Sequence, residues 1–131
     1  MANLIMTEVG WEDRVRNLLG VEDMYLTDED IRHPEIIDLA EAEMVARFPN
    51  YATLTGPFRV WLEAATVSYC AMLLCPTMKA RLPVREQSLH LNRELTVDWD
   101  KRKEELFNEI ERFSYFLDGS TDGDRYILRV Y

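Results

Sequence analysis

The sequence predicts a mainly α fold: a helical bundle around a long central apolar helix at 56–75, with an extended arm at 86–97 and a short C-terminal strand. The stretch from Gly56 to Cys75 is apolar on nearly every face and carries charge only at Arg59 and Glu63. A helix without a polar face has to be surrounded by other elements. Segments on both sides of it repeat apolar residues at helical spacing, whereas period-two alternation appears only late, in 88–97 and 125–131.

The 131 residues fit a single domain, 1–131, long enough to bury roughly 65% of the surface its unfolded chain exposes. Its ends at 1–6 and 119–131 are expected to be flexible or ordered by a partner. The net charge of -9 is spread along the chain. That distribution predicts a soluble acidic surface and argues against wrapping of nucleic acid through counterion release. It is compatible with a surface past which DNA moves without sticking. The N-terminus lacks the basic and long apolar regions of a secretion signal, so a cytosolic product is expected. A membrane is not expected either. The uncharged run Ala64–Met78 is interrupted by Pro76 and dotted with Thr66, Ser68 and Tyr69, where a span needs about 20 apolar residues.

The first helix is read from Trp11, Val15, Leu18 and Leu19, with Gly20 as a left-handed stop. Thr27 followed by Asp30 resembles a capping box. Pro34 then divides a turn at Asp28–Arg32 from a helix at Pro34–Phe48, whose inward face would be Ile37, Ala40, Met44 and Phe48. Thr55 is expected to cap the central helix, with Pro57 in its first turn and Pro76 as its stop. Phe58, Leu62, Ala65, Tyr69 and Met72 form one seam along it, and Trp61, Ala64, Cys70, Leu73 and Leu74 supply other faces.

After Pro83, Leu89, Leu91, Leu95 and Val97 alternate with polar residues, which reads as an arm or edge strand. Asp98 caps a second long helix, Trp99–Leu117, with a stripe of Trp99, Leu106, Ile110, Phe113 and Leu117. Asp98 with Arg102 and Lys101 with Glu105 have the spacing of helix ion pairs. A turn-rich loop, DGSTDGD, then leads to RYILRVY, where Tyr126, Leu128 and Val130 alternate with Ile127, Arg129 and Tyr131.

Chemistry is scarce. Asp118, Ser120, Asp122 and Gly123 match the first half of a calcium loop, but Arg129 stands where the bidentate Glu belongs, so a plain turn is expected and no metal. Cys70 and Cys75 point in different directions on one helix and read as buried small hydrophobes in a reducing compartment. His33 and His90 have no nucleophile motif beside them, no glycine-rich phosphate loop occurs, and no Glu-x-x-His accompanies the acids Glu35, Asp38, Glu41 and Glu43. Those acids read as a solvated face. No catalytic residue and no cofactor is expected. The competing classes are an acidic helical binding module or regulator of the bacterial cytosol and a small metal-dependent enzyme.

The run from LTDEDI through PEIIDLAEAEMVARFPNY, the central AATVSYCAMLLCPTMKARLPVRE and DWDKRKEEL together resemble the small head-tail connector, or head completion adaptor, proteins of long-tailed double-stranded DNA bacteriophages and prophages. The similarity covers Leu26 to Leu117, and LLCPTMKARLP is its most particular element. The resemblance implies a structural virion protein made in the host cytoplasm. It implies a ring of identical copies, twelvefold, beneath the portal protein, which extends the DNA channel and carries the next connector or tail protein. DNA would be cargo only. Period-two patterning in the arm and tail then marks Leu89, Leu91, Tyr126, Leu128 and Tyr131 as contacts to adjacent subunits or the portal.

Overall fold

The computed structural model describes residues 3–81 and 98–121, the last four of these as backbone only. It is mainly helical, packed around a 25-residue apolar helix, and there is no strand among the described residues. The elements are α1 (Trp11–Leu19), α2 (Asp28–Ile31), α3 (Leu39–Arg47), α4 (Pro57–Arg81) and α5 (Trp99–Thr121). A wide π-type turn at Pro34–Asp38 leads into α3, and a short 3-10 turn at Tyr51–Thr53 leads towards α4. The expected arm and C-terminal strand lie outside the described residues.

Short-range chemistry sets most boundaries. Gly20 takes φ 72° and returns its N–H to the carbonyls of Arg16 and Asn17, which closes α1. Thr27 and Asp30 form the reciprocal capping box. The Asp98 carboxylate accepts from the Lys101 N–H at 3.1 Å and so caps α5. Ile37, Ala40, Met44 and Phe48 are all buried, as their spacing predicts.

Two boundaries of α4 differ from expectation. Its ladder begins at Gly56, whose carbonyl accepts from Arg59 and Val60. Gly56 has φ 62°, a conformation that a β-branched Thr adopts only with strain, so the cap lies one residue beyond Thr55. At the other end the helix does not stop at Pro76 but continues to Arg81. Pro76 faces solvent, so water can serve the Met72 carbonyl that loses its donor. Beyond it, buried Met78 enters the core, Lys79 pairs with Asp100 at 2.7 Å, and Arg81 grips Asp30 at 2.6 and 3.0 Å. Tertiary anchoring outweighs the local defect.

The core joins α4 to α1, α3, α5 and the turn at Pro34–Asp38 through Leu62, Ala65, Cys70, Leu74 and Met78, with Leu106, Ile110 and Leu117 from α5. The surrounding of α4 is incomplete: Val60 is 61% exposed, Phe58 lies at the surface, and Tyr69 and Met72 are half-buried. By length and composition alone α4 could cross a membrane, and half of its most apolar window is buried against the other helices. α5 also runs past Leu117 to Thr121, so the first part of the expected DGSTDGD loop has helical backbone.

Candidate interaction surface

The five residues expected to make contacts, Leu89, Leu91, Tyr126, Leu128 and Tyr131, lie outside the described residues. What the structure does bring together is an aromatic surface at the paired ends of α4 and α5. Phe58 meets Trp61 edge-on at 5.5 Å, Trp61 stacks on Phe116 at 4.9 Å, and Tyr115 lies edge-on to Phe116 at 6.1 Å. Phe58 and Trp61 lie three positions apart on one face of α4, and the pairing of α4 with α5 brings Phe116 to Trp61. Further along α5, Phe107 is 47% exposed. A groove of about 500 Å³ opens between α1, α4 and α5, with Leu18, Ala64, Val67 and Phe113 as its apolar walls and Arg14 and Glu109 at its rim.

Among the described residues the histidine and the two cysteines serve the fold. His33 is exposed, and its Nδ1 accepts from the Glu35 N–H at 3.2 Å, so it caps the turn into α3. Cys70 and Cys75 are free and buried, and burial pushes the Cys75 thiol up to about 11 and raises that of Cys70 further. Neither is a thiolate at neutral pH. Among the described residues no group of three or more His, Cys, Asp or Glu side chains is arranged to hold a metal ion. His90 lies outside the described residues, as do Asp122 to Asp124.

One reading of the acids is corrected. Glu35 is exposed, and Asp38 and Glu43 are half-buried, but Glu41 does not belong to a solvated face: it is 4% exposed. Its carboxylate accepts three consecutive backbone N–H groups, from Leu4 at 2.9 Å and from Ile5 and Met6 at 2.8 Å each. The Ile5 carbonyl accepts from the Arg59 Nη2 at 2.7 Å, and Arg59 also pairs with Glu63, which pairs with Arg14. Position 41 lies on the same side of α3 as Ala40 and Met44, which is the signal that would have moved it inward. Glu12 is buried likewise and is paired with Arg32.

Three arginines also donate to main-chain carbonyls. Arg16 donates to the Leu26 carbonyl at 3.0 Å, Arg81 to that of Tyr25 at 3.2 Å and Arg102 to that of Leu18 at 2.6 Å. Instead of serving only a local helix pair with Asp98, Arg102 thus ties α5 to α1, and it also pairs with Glu105 at 3.4 Å. Comparisons of the chain with protein-family models, with curated proteins and with solved structures found no match.

Proposed function

We propose that the protein is a structural connector: a ring of identical copies under a phage portal that joins the DNA-filled head to the tail and extends the DNA channel. The observation that carries this reading is where the chain spends its chemistry. Its interior charges hold the fold, while apolar and aromatic side chains, Phe58, Val60 and Phe107 among them, are offered to the outside. The residue pattern from Leu26 to Leu117 supports it, as does a net charge of -9, which suits a surface past which DNA slides. In this reading α4 and α5 form a rigid post, and the arm and tail, with Leu89, Leu91, Tyr126, Leu128 and Tyr131, supply contacts to neighbours and portal.

Light scattering of the purified chain, alone and mixed with a phage portal protein, tests the proposal. A ring-sized mass in either sample is expected. A monomer or dimer in both would favour an acidic helical binding module of the cytosol instead.

A further inference from the structure

The segment Leu4–Met6 is held as a bound peptide would be. Its three N–H groups go to one carboxylate on α3, and one of its carbonyls goes to a guanidinium on α4. Ile5 and Met6 fill the core, at 0% and 2% exposure. The receptor is therefore built wholly from other elements: Glu41, Arg59 and the apolar site beneath. Between segment and α1 lie Thr7 to Gly10, all exposed, and this linker borders an open groove of about 390 Å³ beside Trp11, Glu12 and Arg32. The linker is thus exposed along its length, whereas segment and receptor fit closely.

From this we infer that Glu41 and Arg59 form a receptor for an extended apolar segment, and that it accepts Leu4–Met6 of a second copy in place of its own. The contacts are the same in both arrangements, so the two differ only in linker geometry and effective concentration. A short tether gives the chain's own segment an effective concentration on the order of millimolar. Copies packed side by side reach comparable values, so on assembly exchange costs little free energy. The inference stands on the geometry of this site whether or not the assembly is a ring.

A chain starting at Thr7 and a fluorescein-labelled peptide of residues 1–10 test it by fluorescence anisotropy. Saturable binding is expected, weakened about tenfold or more by Glu41→Ala in the truncated chain, since hydrogen bonds to a charged acceptor are lost. A folded truncated chain, verified by circular dichroism, that leaves the peptide free would overturn the inference. Should the truncated chain not fold alone, it is co-expressed with full-length Glu41→Ala, which has an intact segment and a spoiled receptor. Native mass spectrometry then shows a 1:1 complex if the segment docks between chains, and recovery of no such complex refutes the exchange.

Discussion

At the scale of single residues, the fold depends on a few buried charges whose partners are main-chain groups. Glu41→Gln removes the charge that three N–H donors share and turns an NH₂ group towards one of them. Hydrogen bonds to a charged group are strong and an unmet buried donor is costly, so a loss of about 2–4 kcal/mol is expected in urea unfolding. Asp30 behaves differently because it is charge-paired near the surface. The Arg81 guanidinium, with help from Thr27, holds its carboxyl well below the ordinary 3.8. A carboxylate with a depressed folded value stabilises the protein above its unfolded value and loses that contribution as pH falls through the folded one. The stability gap between wild type and Asp30→Asn should therefore be full at neutral pH and shrink below about pH 4. Urea midpoints measured on both sides of that value check it, and a gap that widens in acid would contradict it.

At the scale of elements, α4 carries a defect that its context tolerates. Pro76→Ala restores an N–H to the Met72 carbonyl in a helix that already continues to Arg81. An interior proline costs about 3 kcal/mol, and the looser unfolded chain of the alanine variant returns part of that, so a net gain of about 1–2 kcal/mol is expected in thermal or urea unfolding. The same element shows what a sequence conveys. The capping box at Thr27, the Asp98 cap and the inward row Ile37, Ala40, Met44 and Phe48 were legible because each depends on residues within one or two turns. The persistence of α4 past Pro76 was not, because Asp30 and Asp100, which anchor its end, lie far away in the chain. Glu41 was misread for the same reason: its partners are 35 to 37 positions distant. The aromatic surface was half-legible, since Phe58, Trp61 and Phe116 stand out in the sequence but their meeting depends on how α4 and α5 pair.

For the molecule as a whole, the fold is a post with sockets around it. α4 is about 37 Å long at 1.5 Å per residue and contacts α1, α3 and α5. If the protein works as a connector, the segments beyond this post make its outward contacts. A chain ending after Gly123 should keep the helical body, by circular dichroism, but lose assembly with the portal in a reconstitution assay. Intact assembly would remove the tail from the interface.

The pairing of α4 with α5 also bears on biosynthesis. α5 follows α4 in the chain, and Leu106, Ile110 and Leu117 complete the core around it. On the ribosome, roughly 40 residues separate the completion of α4 from that of α5, a wait of about 2–8 s at 5–20 residues per second. Because α5 also leaves the ribosome after α4, a helix apolar enough to pass for a membrane span emerges before its main cover. A stall before α5 has emerged therefore exposes the nascent chain to aggregation, and cold, slow expression would not by itself protect it.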